Sequence, residues 1–248
     1  AIGYNAGVAV QDGLNQVLIG GNAGETLTDG ANNVVIGRAA LGSAQSDSNN
    51  VAVGYTALGT QNGAGTSYNT AVGHAAGTGV TTGAQNTIVG GLAADAITTG
   101  ADNVVMGYQA MTVANSTESR NVAIGAFALD SLDNGSTTNT YNTAVGYGSA
   151  AAVDTGIQNT ILGAGAGDAI TSGSDNIVIG FGAAASAVDV SNEVSIFNGT
   201  KTARFQGSET AWSFVSDARD KSDVEDLELG TEFINKLKPR KFKWDYRS

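Results

Sequence analysis

The chain has 248 residues, with 35 glycines, one proline and no cysteine, and a formal net charge of −11. Up to Thr200, two basic residues accompany fourteen acidic ones, whereas the remaining residues carry ten basic and nine acidic side chains. The acidic first part lacks the clustered positive charge that binds nucleic acid or an anionic membrane. No apolar run approaches the ~18–20 residues of a membrane span. We therefore expect two differently built segments that join near residue 200.

One motif dominates the first segment: an asparagine, three mostly apolar residues and a glycine. The copies are NVVIG at Asn33, NVAVG at Asn50, NTAVG at Asn69, NTIVG at Asn86, NVVMG at Asn103, NVAIG at Asn121, NTAVG at Asn142, NTILG at Asn159 and NIVIG at Asn176. Most closing glycines recur at one constant spacing, as Gly20, Gly37 and Gly54 do, and a longer period relates Gly73 to Gly146 and Gly107 to Gly180. A fixed period of this kind predicts a solenoid.

We interpret each 17-residue unit as one coil of a parallel β-solenoid over residues 1–191. The second and fourth residues of the motif share a side of the strand, and because the fourth is always large and apolar, as in Ile36 and Met106, we expect both to form the core. The third residue, which varies between alanine and valine or isoleucine, should then face outward. This places a second apolar surface outside the coil.

Three further regularities predict local geometry. The repeat asparagines should stack as a hydrogen-bonded ladder at a corner, and the closing glycines should mark corners that need a positive φ or tight packing. An alanine follows three positions after almost every closing glycine, with Ser149 as the exception, which indicates close backbone approach. The intervals that begin at Gly54, Gly107 and Gly125 are longer than the others, and they predict loops that project from the shaft.

A coil this thin encloses little core. The apolar ridge that the third motif residues would form on its outside should be buried against another surface. Packing the ridge against copies of itself predicts a parallel homotrimer with its threefold axis along the rod. The motif also resembles the NxVAIG repeat of trimeric autotransporter adhesin heads, most closely at Asn121–Gly125, over residues 1 to about 185. That resemblance implies a trimeric parallel β-roll.

The second segment begins where the motif degrades. Phe197 replaces the closing glycine, and residues 192–215 are predicted to be capping or neck strands, because an open solenoid end is an adhesive edge. From Ser216 on, Leu229, Phe233 and Leu237 are spaced as in a short amphipathic helix that ends at Pro239. The fold class predicted from these elements is all-β, with a short helical start of a further domain over residues 216–248.

The block from Ser216 resembles the start of the self-cleaving intramolecular chaperone of endosialidase-type phage tailspikes and other tail fibres. The matching positions are Ser216, Asp217, Arg219, Lys221, Leu227, Leu229, Gly230, Phe233, Ile234, Leu237, Pro239, Phe242 and Trp244. The resemblance implies a trimer-assembling chaperone that is released by a cut at Val215–Ser216. Ser216 would be the nucleophile, Lys221 its base, and Asp217 and Arg219 supporting residues that shape the turn.

These features predict a structural protein of the virion tail, outside the cell, which attaches the phage to its host. The expected partners are two further copies of the chain, other tail proteins, and a host receptor that is a glycan or an outer-membrane component. A bacterial trimeric surface adhesin and a glycan-degrading tailspike are the alternatives. The tail favours the phage protein, because an autotransporter should continue into a coiled coil and a membrane barrel.

No cofactor and no metal is predicted. His74 is the only histidine, and a threefold ring of it could bind an ion, but a lone histidine beside a corner is more often structural. Glycan hydrolysis would require clustered carboxylates, whereas Asp95, Asp102, Asp168 and Asp175 occupy turn positions where Asx-turn chemistry suffices. A metabolic enzyme is not expected; self-cleavage at Val215–Ser216 is the predicted activity, with glycan degradation as the alternative.

Overall fold

We analysed a computed structural model of the chain. It describes residues 1–63, 65–113, 117–135 and 139–207, and the backbone of residues 213–214. By its internal contacts the chain divides into two compact units, Ala1–Val215 and Ser216–Ser248. The helix predicted from Leu229 to Leu237 lies outside the described residues.

The described residues form an all-β protein without a helix, in which the strands make one sheet in sequence order. The strands are β1 Val17–Ile19, β2 Val34–Ile36, β3 Val51–Val53, β4 Thr70–Val72, β5 Thr87–Val89, β6 Val104–Met106, β7 Val122–Ile124, β8 Thr143–Val145, β9 Thr160–Leu162, β10 Ile177–Ile179, β11 Glu193–Phe197, β12 Thr202–Gln206 and β13 Ser213–Phe214.

Strands β1 to β11 are parallel, and each pairs with the next at equivalent positions of the repeat, as in Val35 with Ala52 and Ala52 with Ala71. Each strand contributes one rung, and the rest of its repeat returns the chain to the next rung. The predicted β-solenoid is therefore confirmed, with about ten turns.

The predicted facing of the strand residues is wrong. The third residue of every motif from β1 to β10 is buried, with an exposed fraction of 0 to 3 %, whereas the second and fourth residues are half-buried or exposed. Alternation along a strand fixes which residues share a side but not which side is inside. Here the opposite wall of the coil leaves room for one strand side chain per turn.

The variation at the third position reflects compensation of volume inside the rod. Ile161 is matched by Gly167, where an added Cβ would lie 2.8 Å from the Ile161 Cδ1 atom. Gly77 leaves space that is filled from neighbouring coils, because an added Cβ there would lie 2.8 Å from Ile88 Cδ1 and 3.1 Å from Leu58 Cδ2. The small third residues therefore belong to a close-packed core and not to a tolerant surface.

The corners confirm the predictions made for glycine and alanine. Gly90 has a φ of 142°, and an added Cβ would lie 2.3 Å from the Gly107 carbonyl oxygen of the next coil. The alanines that follow the closing glycines, such as Ala57 and Ala93, are fully buried. Each coil also turns at non-glycine residues with positive φ, such as Leu58 at 50°, which the sequence did not indicate.

The asparagine ladder is also confirmed. The repeat asparagines from Asn33 to Asn176 are 0 to 1 % exposed. The side-chain Oδ1 of each accepts a hydrogen bond from the backbone N–H of the next, at 2.8 to 3.1 Å. In most coils the side-chain amide also donates to a carbonyl later in the same coil, as from Asn86 to Gly100 at 2.9 Å. The asparagines thus tie each corner to the next coil, and most of them also close their own coil, although the buried Asn50 Nδ2 atom has no hydrogen-bond partner.

The last coil ends in an antiparallel hairpin. Strand β11 still pairs with β10 in parallel, β12 then pairs antiparallel with β11, and β13 pairs antiparallel with β12. Glu193 takes the ladder position, and its backbone N–H donates to Asn176 Oδ1 at 3.0 Å. Its carboxylate is buried and lies 3.2 Å from Arg204 Nε of β12, so an ion pair joins the ladder end to the hairpin.

The inward facing of the third residue is testable by truncation. We expect Ile88→Ala to destabilise the protein by about 2–5 kcal/mol, because it removes fully buried atoms and leaves a cavity. Thr87→Ala, at the neighbouring exposed position, should change the free energy of unfolding by less than about 0.5 kcal/mol. Denaturant unfolding of both variants checks this, and a larger loss for Thr87→Ala would reverse the assignment.

The ladder predicts a second stability effect. We expect Asn86→Ala to cost about 2–4 kcal/mol, because it leaves the buried Asn103 N–H and the Gly100 carbonyl without their partners. The exposed Thr82→Ala serves as the control and should fall within about 0.5 kcal/mol of the unchanged chain. Equal denaturation midpoints for the two variants would mean that the ladder contributes no stability.

Candidate functional site

The largest candidate site is the outward side of the parallel sheet. We define the outward face as the second and fourth motif residues of β1 to β11. Its members are mostly apolar and many are more than a third exposed: Val17 43 %, Ile19 37 %, Ile36 36 %, Val72 37 %, Met106 40 %, Leu162 48 %, Ile177 40 % and Ile196 39 %. Because each strand supplies the same two positions, the apolar surface is continuous along the sheet.

The size of the outward face indicates what it can do. Ten spacings between eleven parallel strands span about 50 Å, and a strip of about 13 Å across gives on the order of 650 Å². This outline, which includes Thr70, Thr87, Thr143 and Thr160, is of the same order as the roughly 800 Å² per partner of a stable protein interface. A continuous apolar strip of this size is of the kind that associates with another protein surface.

An aromatic column borders the outward face on one side. It consists of the larger residues just after the closing glycines: Tyr4, Arg38, Tyr55, His74, Tyr108, Tyr147 and Phe181. Tyr55 stacks on His74 with ring centroids 5.2 Å apart, and the Arg38 guanidinium lies 5.6 Å above the Tyr55 ring. The exposed His74 is therefore stacked on a neighbouring ring, while other coils have Gly21, Gly91, Ala126 and Ala164 at the same position.

A polar column borders the other side of the face. It consists of the residues just before the repeat asparagines. Arg120 lies 3.5 Å from Asp102 and donates a hydrogen bond to the Tyr141 hydroxyl at 2.8 Å. The hydrogen bond to Tyr141, and then the charge of Asp102, raise the pKa of Arg120 above its ordinary value. Both arginines of the shaft thus lie against tyrosine rings at the edges of the face.

Asp95 and Asp130, the shaft carboxylates with a shifted pKa, lack the opposed shifts of a glycosidase acid–base pair. Burial raises the pKa of Asp95 and of Asp130 above the ordinary value, against an opposing contribution from their own backbone. A glycosidase needs one neutral and one ionised carboxyl group, which requires environments that move the two pKa values apart. Burial instead raises the pKa of both Asp95 and Asp130. Among the described residues no group of three or more histidine, aspartate or glutamate side chains is placed to hold a metal ion.

Sequence reasoning missed two buried carboxylates. Asp47 and Glu118 are both 0 % exposed, and each lies three positions before a repeat asparagine. Most other asparagine coils have glycine at that position, among them Gly30 and Gly100, where an added Cβ would lie 2.1 and 2.2 Å from a carbonyl of the next coil. The signal in the sequence was an acidic residue at a position where most repeats have glycine. Each of these two acidic residues is followed by a lengthened coil.

The predicted self-cleavage residues Ser216, Asp217, Arg219 and Lys221 lie outside the described residues, as does the Val215–Ser216 bond itself. Their arrangement therefore stays a prediction. The boundary between the two compact units of the chain falls at that same bond.

Comparison with protein-family models, with curated protein sequences and with solved structures gave no match to this chain. In the part of the chain that the structure describes, no helix has the length and apolar character needed to cross a membrane.

Proposed function

We propose that the chain is the shaft of a phage tail fibre or tailspike, a homotrimer that attaches the virion to its host. The observation that carries the proposal is the outward face, an apolar strip that runs the length of the parallel sheet. A secreted or virion protein with this strip exposed would aggregate unless a partner covered it. The resemblance of the repeat to trimeric adhesin heads supports copies of the chain as that partner.

The geometry of the face favours parallel association in register. Every coil presents the same two positions at the same height, so three parallel copies would bring equivalent apolar residues together at each level. The aromatic and polar columns differ from each other, which suits a contact in which the two sides of one copy meet different sides of its neighbours. Such heterologous contacts close into a ring when the rotation allows it.

The C-terminal segment would supply the assembly step. Its resemblance to the intramolecular chaperone supports a cut at Val215–Ser216 after trimerisation. The Ser216 Oγ atom would attack the Val215 carbonyl carbon while Lys221 accepts the hydroxyl proton; the Val215–Ser216 C–N bond then breaks, and the Ser216 amine leaves with that proton. Water would hydrolyse the resulting Val215 ester and so release the two chains. A lysine that loses its hydration on assembly has a lowered pKa and becomes a competent base. The boundary between the two compact units at this bond supports the assignment.

A bacterial surface adhesin of the autotransporter type is the second candidate. The same outward face and the same repeat favour it, and the C-terminal segment distinguishes the two. The tail-fibre hypothesis requires residues 216–248 to lead into the chaperone, and the adhesin hypothesis does not.

Light scattering of the purified protein tests the assembly. We expect three times the chain mass, and we expect Ile36→Lys combined with Met106→Lys to abolish the trimer, because two charges per chain would be buried in an apolar interface. Thr82→Lys combined with Thr99→Lys, on exposed loop positions, is the matched control and should leave the mass unchanged. A monomeric parent protein, or a trimer that tolerates the first pair, would overturn the proposed role of the face.

The cleavage prediction has its own test. In the full gene product we expect a fragment that begins at Ser216, detected by mass spectrometry, and its loss in Ser216→Ala and Lys221→Met. Ser222→Ala, at the next serine of the segment, should cleave normally. An unchanged protein that never splits would refute the catalytic assignment while leaving the trimer proposal intact.

A further inference from the structure

A groove lies along the part of the coils that returns the chain to the next strand. Its volume is about 300 Å³, which places it at the lower end of the sites that take small molecules. Four successive coils, all within the described residues, form its lining: Glu25, Ala39, Gly42, Ser43, Thr56, Gly59, Thr60 and Thr78. We call this space the glycine groove, after Gly42 and Gly59.

The glycine groove exists because two coils lack a side chain at one position of the repeat. The fifth residue after the closing glycine is Glu25, Gly42, Gly59, Thr78 and Asp95 in five successive coils. Glu25 and Thr78 are therefore three coil spacings apart, about 14 Å, with two glycines between them. The groove is the space that the two missing side chains leave, and the two remaining side chains close its ends.

The backbone does not require glycine at either position. Gly42 and Gly59 have no positive φ, and an added Cβ would lie 3.1 and 3.0 Å from a carbonyl oxygen of the same coil. At the closing glycine Gly37, by contrast, φ is 137° and an added Cβ would lie 2.2 Å from a carbonyl oxygen of the next coil. Neighbouring coils accept glutamate, threonine and aspartate at the position of Gly42 and Gly59, and glycine has the largest entropy cost on folding. What these two glycines provide is the open groove.

Three side chains of the groove can act only as hydrogen-bond acceptors. The carboxylate of Glu25 is half-buried and accepts a hydrogen bond from the Asn22 side-chain amide. The hydroxyl protons of Thr60 and Thr78 are already donated to backbone carbonyl oxygens, at 3.1 and 2.8 Å. A hydroxyl group has one proton, so these two oxygens can only accept from a ligand, as an ionised carboxylate does. A ligand of the groove must therefore supply the donors.

The charge of the groove selects a cation at one end. Among the described residues that line it, Glu25 is the one charged side chain, and the chain up to Thr200 carries two basic residues against fourteen acidic ones. A primary ammonium group has three donors, no acceptor and a positive charge, which complements a carboxylate in an acidic surface. An anionic ligand would be repelled by the same charge.

The other end of the groove selects hydroxyl groups. Thr60 and Thr78 offer neutral acceptors there, and the hydroxyls of Ser43 and Thr56 can donate or accept. A second ammonium group would have no carboxylate to pair with at that end. A compact molecule with one amine and several hydroxyl groups, which is an amino sugar with a free amine, therefore fits better than a diamine.

We propose that the glycine groove is a binding site for an amino sugar, whose ammonium group pairs with Glu25 and whose ring lies over Gly42 and Gly59 with its hydroxyl groups toward Thr60 and Thr78. None of the lining residues belongs to the outward face. The inference therefore goes beyond the proposed attachment function and does not depend on the trimer.

An NMR titration of the full chain with glucosamine tests the site. We expect a dissociation constant on the order of 1 mM, as suits a ligand of this size. Glucose and N-acetylglucosamine, which have no ammonium group, should bind at least ~10-fold more weakly, and putrescine, which has no hydroxyl group, should also bind more weakly. Absence of glucosamine binding, or equal binding of any of the other three compounds, overturns the inference.

Two variants separate the charge of the groove from its shape. Glu25→Gln keeps the size of the side chain and removes its charge, and Gly42→Ala combined with Gly59→Ala places two methyl groups where the sugar ring would lie. Each should weaken glucosamine binding at least ~10-fold, with a denaturation midpoint close to that of the unchanged chain. Asp95→Asn, at the same repeat position outside the groove, is the control and should bind normally. If the alanine pair does not fold, Glu25→Gln decides the question.

The outcomes also separate the groove from the proposed assembly. A trimer that binds no glucosamine, or that binds it equally well after Glu25→Gln, overturns this inference alone. A monomer that binds glucosamine through Glu25 overturns the trimer and supports the groove. If the alanine pair lowers the mass in light scattering, the groove belongs to a contact between copies of the chain and the inference is wrong.

Discussion

The shaft depends on the stacking of coils through hydrogen bonds that repeat at every level. A coil this short has too small an interior to be stable alone, so each turn must use its neighbours to satisfy its backbone. The asparagine ladder does this at the most crowded corner, because one side chain pairs with the next coil and also closes its own. Buried polar groups are costly unless they are fully paired. The ladder therefore pairs polar groups that the narrow rod must bury, and the same hydrogen bonds align each coil with the next.

The same constraint explains the two surfaces of the sheet. With the ladder, the corner alanines and the opposite wall in place, one strand side chain per coil fits inside, and its neighbours on the strand must face outward. The apolar outward face thus arises because the coil is thin and its strands are rich in β-branched residues. The thinness of the coil therefore underlies both the low stability of a single coil and the proposed trimer.

Much of the fold could be predicted because the relevant residues recur in register. The coil length, the strands, the ladder and the buried alanines each follow from one residue type at a fixed spacing, such as the asparagines from Asn33 to Asn176. The facing of the strands could not be predicted, since alternation is symmetric and the deciding residues, such as Leu58 and Gly167, lie on the opposite wall. Asp47 and Glu118 escaped notice because their signal was a departure from glycine and not a motif. The serine–lysine assignment at Ser216 and Lys221 rests on resemblance.

The lengthened coils, which begin at Gly54, Gly107 and Gly125, carry their extra residues in the part that returns the chain, while the strands from β1 to β10 keep their length. The longer of the two sequence periods relates one group of four coils to the next, as it does Gly73 to Gly146 and Gly107 to Gly180. Such a unit can be added, removed or given a new loop without altering the levels at which copies of the chain would meet. The length of such a rod and the chemistry of its loops can therefore diversify independently while the scaffold persists.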